Sequence, residues 1–497
     1  MKYNLKMPGN NQNTQEEMMF IPGMSSLVPH DHVLRQVDNI LKTKWFREEV
    51  RELYCETNGR PSIDPESALR LMLAGFLLGI KHDRRLIREA QVNNAIRWFC
   101  GYNLTDDLPH HSSLTRIRQR WGVETFLKVF QHVVKQCADG GLLNHEMVHV
   151  DSTMIEADAS LQSVVERYVD QVIEENRVDG EDDDPKPPTP VKKSNSSSPI
   201  KKPKKEKRSK TDPDATFSRT NKKQPYVLGY KQHTVVDDKA GVVVDVHVTT
   251  GKTNDSTQLI EQILRTAQNT GVMPETVTAD AAYATSENYR QLEEMGIDPV
   301  IPPQPQRAQG KSIPIRRFKY DEKHHVVRCP AKKKMRCFSR NHQGWLFKAE
   351  VSDCQSCRLK KRCVPKKQSC RRVLIMYGYT ALSRGRRRTQ KVWVDDKFFK
   401  AYNRHKWIVE GRQGEAKVQY GLYRAQRRGL DQVSIQVRMT AIAMNLKRLA
   451  AFSLLQNPLF KAIFGWIWCL RSIPRDFVVF LYSNAQNRKI PSTVLIR

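Results

Sequence analysis

The sequence predicts an α/β core that follows an all-α region and is interrupted by a cysteine-rich insertion. From residue 146 onward, short runs of β-branched residues alternate with helical segments, which is the pattern of an α/β sheet. Two of these runs end in an aspartate, Asp151 and Asp280. Six of the ten cysteines lie between Cys329 and Cys370, and this clustering favours a metal site over disulfides.

The composition indicates a polyanionic partner. The 497 residues include 83 Lys and Arg against 53 Asp and Glu, a formal net charge of +30. A charge of this size repels itself in a compact chain, so nucleic acid is the first candidate partner. The most apolar run, residues 462–470, is too short to span a membrane, and residues 1–6 contain no apolar signal region. We therefore expect a cytoplasmic protein with no membrane partner.

The region before the core is predicted to be helical. Residues 1–30 are polar and are predicted to be disordered, whereas residues 31–145 have the apolar periodicity of helices. One short helix carries Arg116, Arg118 and Arg120. Several short helices with basic faces are typical of a helix-turn-helix DNA-binding region. The alternative is a helical bundle whose basic face is only solvated.

Residues 146–305 form the first part of the predicted core, with Asp151 and Asp280 at the ends of two strands. Open α/β sheets carry their sites at the carboxyl ends of strands. A carboxylate at such a place is costly unless a cation meets it, and a divalent metal ion is the usual solution. The alternative for Asp151 is a cap of a turn or helix. Within this part, residues 171–222 are highly charged and are predicted to be a disordered loop.

Residues 399–450 complete the core with a helix that carries the third candidate acid. At about 100° per residue, Lys406, Glu410 and Lys417 share one face. Glu415 points roughly 140° away from Glu410 by the same count, so Glu410 is the predicted acid. The alternative is a surface helix with an ion pair between Lys406 and Glu410.

The inserted unit, residues 306–398, has the cysteine spacing of a structural zinc site. A Cys-x-x-Cys pair with two outlying cysteines matches a four-thiolate site. The favoured ligands are Cys329, Cys354, Cys357 and Cys363. Cys337 and Cys370 are alternates, and ordinary free thiols are the other interpretation. After the core, residues 451–497 are predicted to be an apolar helical tail.

Several segments resemble the DDE-type transposases of bacterial insertion sequences. They contain the three acids, an intervening hairpin and a tail motif: residues 148–153, 229–233, 248–249, 254–255, 279–283, 410–417 and 445–448. Residues 59–62 and 83–98 resemble the helical N-terminal domain of such transposases. The chain departs from the family at two places, where Lys406 replaces the usual arginine and Asn403 the usual tyrosine.

The resemblance implies an RNase H-like catalytic core in which Asp151, Asp280 and Glu410 are catalytic and hold two Mg²⁺ or Mn²⁺ ions. Asp151 would bridge both ions, while Lys406 and Lys417 would contact DNA phosphates. It further implies cleavage at transposon ends and joining of the 3′ ends to double-stranded target DNA. A homo-oligomer in a synaptic complex, associated with the bacterial nucleoid, would carry out these steps.

Two other functions remain open from the sequence. One is an RNase H-like, metal-dependent nuclease without strand transfer. The other is a non-catalytic, zinc-bearing DNA-binding protein, against which the retention of all three acids argues.

Overall fold

The computed structural model describes residues 23–55, 62–168, 205–219, 224–304, 313–366, 368–390 and 396–456. Several predictions fall wholly or partly outside these residues. They are the disordered N-terminus over residues 1–22, most of the charged loop at 169–204 and 220–223, part of the resemblance at 59–61, and the tail at 457–497. No helix among the described residues is long and apolar enough to cross a bilayer.

The N-terminal region is helical, as predicted. Its helices are α1 Val33–Asp38, α2 Phe46–Glu49, α3 Pro65–Leu77, α4 Asp83–Val92, α5 Asn94–Cys100 and α6 His111–Asp139. Helix α3 begins at Pro65 because Asp64 caps it: the Asp64 side chain accepts a hydrogen bond from the Ser67 N–H. Helix α6 is broken at Gly122, whose φ of 68° is in the left-handed region that favours glycine.

A six-stranded mixed sheet forms the centre of the molecule. Its strands are β1 Met147–Glu156, β4 Thr216–Ser218, β5 Val227–Asp237, β6 Val243–Thr250, β7 Thr276–Ala279 and β8 Asp298–Val300. The order is β4-β5-β1-β7-β8, and β6 pairs with β5. Strands β1, β7 and β8 are parallel, whereas β5 pairs antiparallel with β1, β4 and β6.

Helices cover this sheet and complete one hydrophobic core with the N-terminal region. They are α7 Leu259–Thr270, α8 Ser286–Glu294, α12 Asp396–Val418 and α13 Leu430–Gln456. Helix α13 lies against both β6 and α6, and α12 lies over β1 and β7. The mixed α/β class predicted from the sequence is therefore confirmed.

Part of the predicted disordered loop is ordered. Strand β3 (Lys205–Ser209) pairs antiparallel with β2 (Val164–Tyr168), and β4 joins the central sheet. Asp212 lies fully buried between these strands and accepts a hydrogen bond from the backbone N–H of Gly429, at 3.2 Å. The prediction was wrong for residues 205–218, because charge composition says nothing about partners more than 200 residues away.

Residues 319–376 form a second, five-stranded antiparallel sheet with its own hydrophobic core. Its strands are β9 Lys319–Asp321, β10 Val326–Arg328, β11 Lys334–Asn341, β12 Gly344–Lys348 and β13 Arg372–Met376, in the order β13-β12-β11-β10-β9. Two short helices, α9 Val351–Gln355 and α10 Lys360–Cys363, carry cysteines. Helix α11 (Tyr379–Gln390) then packs on α8, so closely that a Cβ at Gly385 would lie 2.5 Å from the Tyr289 ring.

Candidate active site

Strand register places the two aspartates side by side. On the parallel strands β1 and β7, Val150 is the partner of Ala279, and Asp151 and Asp280 are the next residues of each. Neighbouring strands lie about 4.8 Å apart. The sequence predicted Asp151 at the end of its strand, but β1 continues to Glu156 along β5. The carboxylate is accessible because β7, rather than β1, ends there.

The two carboxylates accept hydrogen bonds but are not ion-paired within the part of the chain that the structure describes. Asp151 accepts hydrogen bonds from the Ser152 N–H at 2.7 Å and from Nε2 of Gln413 at 3.0 Å, and Asp280 accepts one from the Ala282 N–H at 2.9 Å. Burial, to which the charge of Asp280 adds, raises the pKa of Asp151 to about 7. Burial also raises the pKa of Asp280. Neither forms a salt bridge with a described residue, so the pair is suited to receive a cation.

Helix α12 carries the third predicted acid over this pair. Gln413, one turn beyond Glu410, is the residue that contacts Asp151. Burial raises the pKa of Tyr402, and the charges of Asp280, Asp151 and Glu410 raise it further. The Tyr402 side chain is therefore within electrostatic range of all three acids. Glu410 itself is exposed.

The two lysines of the predicted face lie on either side of Glu410 along α12. Burial lowers the pKa of Lys417, and the charge of Asp151 opposes that shift. Lys406 is exposed, with its Nζ 5.5 Å from the centre of the Tyr402 ring.

Glu415, the rejected alternative for the third acid, has a different environment. Its carboxylate accepts hydrogen bonds from Arg412 at 3.0 Å and from Arg448 of α13. Asn445, in the same tail motif as Arg448, bonds both the N–H and the C=O of Val243 in β6, at 2.9 and 2.8 Å. The tail motif thus holds α12 and the sheet together, and Glu415 is engaged in that anchor.

A buried chain of polar side chains also fixes α12, and the sequence did not reveal it. His149 lies 2.6 Å from the Thr278 hydroxyl and 2.9 Å from the Asp238 carboxylate. The same hydroxyl lies 3.0 Å from Nδ1 of His405, on α12. Burial lowers the pKa of His149 and lowers that of His405 to about 3, so both rings are neutral at pH 7.

A further acid lies beside the site. Burial is the main cause of the raised pKa values of Asp151 and Asp280, and the charge of Asp255 adds to both. The Asp255 carboxylate itself pairs with Nζ of Lys231 at 3.0 Å. Asn288 holds this loop in place through the carbonyl of Ser256, at 2.8 Å. The only sequence signal for Asp255 was its place in one segment of the resemblance.

The three predicted DNA-binding arginines differ in accessibility. Arg116 and Arg120 are exposed, and the guanidinium of Arg120 lies 4.9 Å from the centre of the Tyr54 ring. Arg118 is 2% exposed and forms an ion pair with Asp83, which also pairs with Arg427 at 3.0 Å. Arg118 is thus a structural residue and cannot reach a phosphate, contrary to the prediction.

The four favoured cysteines meet in the inserted unit. Cys329, Cys354, Cys357 and Cys363 line a single cavity between β10 and the two short helices. Burial raises the pKa of the Cys354 and Cys363 thiols, and the other cysteines add to the shift. Of the two alternates, Cys370 is buried nearby and Cys337 is exposed on β11.

No preformed metal-binding group occurs among the residues that the structure describes. A group of three or more His, Cys, Asp or Glu side chains arranged to hold an ion is absent there, both at the acids and at the cysteines.

Comparison with known proteins identifies the family. Residues 197–446, just over half of the chain, match the family model described as "Transposase DDE domain". Residues 23–120 match "Transposase domain (DUF772)". No curated protein matches the chain.

Two solved structures of transposases are distantly similar. The piggyBac transposase synaptic complex with hairpin DNA is 11% identical, with a TM-score of 0.31, over 93% of this chain and 86% of that one. The Mos1 transposase paired-end complex is 12% identical, with a TM-score of 0.15, over 54% and 67%. These scores are too low to support a conclusion, so the assignment rests on the family models. The chain belongs to the DDE transposase family.

Proposed function

We propose that this transposase cleaves DNA at transposon ends and joins the 3′ ends to target DNA, with Asp151, Asp280 and Glu410 as its catalytic acids on an RNase H-like core. The observation that carries the proposal is the register of β1 and β7, which places the two aspartates next to each other beneath α12. The position of Glu410 on that helix, within electrostatic range of Tyr402, supports the third assignment.

The residues present fit a pair of divalent cations. The donor set consists of carboxylate oxygens, the ligands that Mg²⁺ and Mn²⁺ prefer. The raised pKa values of Asp151 and Asp280 support this fit, because a bound cation would stabilise their charged forms. Bound cations would lower the pKa of an attacking water or 3′-hydroxyl and stabilise the leaving oxygen. Asp151, Asp280 and Glu410 would hold these ions through their carboxylate oxygens.

The remaining residues of the site would position these acids and the DNA. Gln413 orients the Asp151 carboxylate by its hydrogen bond. Lys406 and Lys417 would neutralise phosphates on either side of the scissile bond. Glu415 and His405 fix the position of α12 on the sheet.

Joining of the cleaved ends separates this function from that of a simple nuclease. Transfer requires two ends in one complex, which a homo-oligomer in a synaptic complex would provide, and such a protein would act at the nucleoid. Incubation of the protein with a pre-cleaved 3′-hydroxyl end and a plasmid should yield joined products. Cleavage without any joined product would instead support the nuclease.

We further propose that the chain is organised as a helical DNA-binding region (31–145), a split core (146–305 and 399–450) and a zinc-bearing insertion (306–398). Support for the zinc comes from the shared cavity of Cys329, Cys354, Cys357 and Cys363. Zinc would deprotonate the buried thiols and hold the loops around α9 and α10. Metal analysis of the purified protein should find about one zinc per chain.

Two glutamates on α12 provide the sharpest test of the active site. Glu410→Gln should abolish Mg²⁺-dependent cleavage of DNA that carries both flanks of the gene, yet leave the melting temperature unchanged, because Glu410 is exposed. Glu415→Gln should lower the melting temperature and retain cleavage below it, because Glu415 anchors α13. The reverse pattern would assign the third acid to Glu415.

A further inference from the structure

The sheet of the inserted unit has two contrasting faces. One face packs into the hydrophobic core through one residue of each strand: Tyr320, Val327, Met335, Phe347 and Val373. Side chains alternate between the faces of a strand, so the residues next to these point to the opposite face. That face is open to solvent and is basic.

Strand register places six cations of this face in two rows of three, which adjoin each other on β11. On β11, Arg336 is the partner of Lys348, which is in turn the partner of Arg372 on β13. Two residues earlier on β11, Lys334 is the partner of Arg328, which is the partner of Lys319 on β9. The cationic line therefore consists, from edge to edge, of Arg372, Lys348, Arg336, Lys334, Arg328 and Lys319. With strands about 4.8 Å apart, it spans roughly 20 Å.

Folding does not require this arrangement. Like charges directly opposite each other on adjacent strands destabilise a sheet. Five of the six are exposed and Lys348 is half-buried, and none forms a salt bridge with a described residue. Asp321, at the end of β9 on this face, is hydrogen-bonded by His324 at 2.9 Å; this bond lowers its pKa, and the charge of Arg328 lowers it further. An external polyanion would relieve the repulsion that the sheet itself compensates only in part.

An exposed aromatic ring lies at one end of the cationic line. Phe338, at the irregularity in β11, is 59% exposed. Lys348 and Arg372 lie 5.0 and 5.9 Å from the centre of its ring. The ring holds these two side chains on the same face and does not neutralise their charges.

We propose that the cationic line binds the phosphate backbone of duplex DNA. Duplex DNA carries about one negative charge per 1.7 Å of axis, so a line of roughly 20 Å faces about six base pairs. The choice of DNA over another polyanion rests on membership of the transposase family, not on the assignment of the three acids. Lysine and arginine contacts to phosphate carry no sequence information, so transposon ends and target DNA would bind alike at this face.

The test, in the full-length protein, compares loss of charge on the cationic line with loss of the charge of an adjacent lysine that lies off the line. The variant Lys334→Gln with Arg336→Gln removes two cations of the line. The control Lys333→Gln removes the neighbouring charge, which lies off the line and pairs with Asp353 at 3.2 Å. A charge-preserving variant, Lys334→Arg with Arg336→Lys, should restore binding. Affinity for a labelled duplex is measured by anisotropy over a range of salt concentrations, without Mg²⁺, so that no DNA is cut.

The double variant should reduce the slope of log affinity against log salt by about 2, and affinity near 0.1 M salt by roughly 50-fold. The loss should be equal for an end sequence and an unrelated duplex, and Lys333→Gln should lose almost nothing. Without DNA, the melting temperature of the double variant should be unchanged or higher. Three results would overturn the proposal. The control could lose as much affinity per charge as the double variant, the double variant could melt at a lower temperature, or its loss of affinity could be confined to single-stranded DNA or RNA. Cleavage by the Glu410 and Glu415 variants is a separate readout.

Discussion

Replacement of Asp151 by asparagine should stabilise the protein while it abolishes catalysis. Burial raises the pKa of Asp151 from 3.8 to about 7, so the folded chain binds its proton more tightly than the unfolded chain. The stability that this proton provides is complete below pH 3.8 and is lost as the pH rises to about 7. A difference of about three pKa units corresponds to about 4 kcal/mol above pH 7. The asparagine side chain would carry no charge at any pH and would avoid this cost.

The net gain should be smaller than the full electrostatic cost. The hydrogen bonds from Ser152 and Gln413 are made to a charged acceptor in the native protein, and they weaken by about 1 kcal/mol in total when the acceptor is neutral. We therefore expect Asp151→Asn to gain about 2–3 kcal/mol at pH 8 without metal, or a rise of roughly 5 °C in melting temperature.

Thermal unfolding with and without Mg²⁺ measures this effect. Mg²⁺ should stabilise the native protein, by about 2.7 kcal/mol at one hundred times its dissociation constant, but not Asp151→Asn. Asp158→Asn is the matched control, because Asp158 follows the same strand but is 42% exposed in its side chain. A variant that is less stable than the native protein in metal-free buffer, or that still responds to Mg²⁺, would refute the buried-charge reasoning.

Three further predictions concern other parts of the chain. Burial lowers the pKa of His405 to about 3. As the pH falls from 6.5 to 3, the free energy of unfolding should therefore decrease by up to about 1.4 kcal/mol per pH unit. In acid unfolding curves, His405→Gln should make this decrease shallower. Removal of zinc by a chelator should expose the Cys354 and Cys363 thiols to a thiol reagent, whereas equal reactivity before and after would count against the site. Arg118→Gln should destabilise the chain by about 1–3 kcal/mol, because Asp83 loses one of its two partners, whereas Arg116→Gln should weaken only DNA binding.

Prediction from the sequence succeeded where the signal is local. The helices of the N-terminal region follow from apolar periodicity, which is apparent within a few turns of sequence. The position of Asp280 directly after β7 is equally local, whereas Asp151 lies within β1, because pairing with β5 extends that strand to Glu156.

Prediction from the sequence failed for charged residues whose neighbours in space lie far away in the chain. Arg118 was indistinguishable in sequence from Arg116, yet Asp83, 35 residues earlier, holds it in the interior. Asp255 carried no signal of its own, because only the contact between its loop and the strand ends brings it near the two aspartates.

The sequence alone determined the family, the class of fold, the order of the three acids and the clustering of the cysteines. Tertiary structure decided which charged residues became anchors, as Glu415 and Arg118 did, and which became a surface, as the cationic line did. The physical reason is that a charge is stabilised or destabilised by whatever lies within a few ångströms of it. Those neighbours are set by strand register and helix packing between residues far apart in the chain.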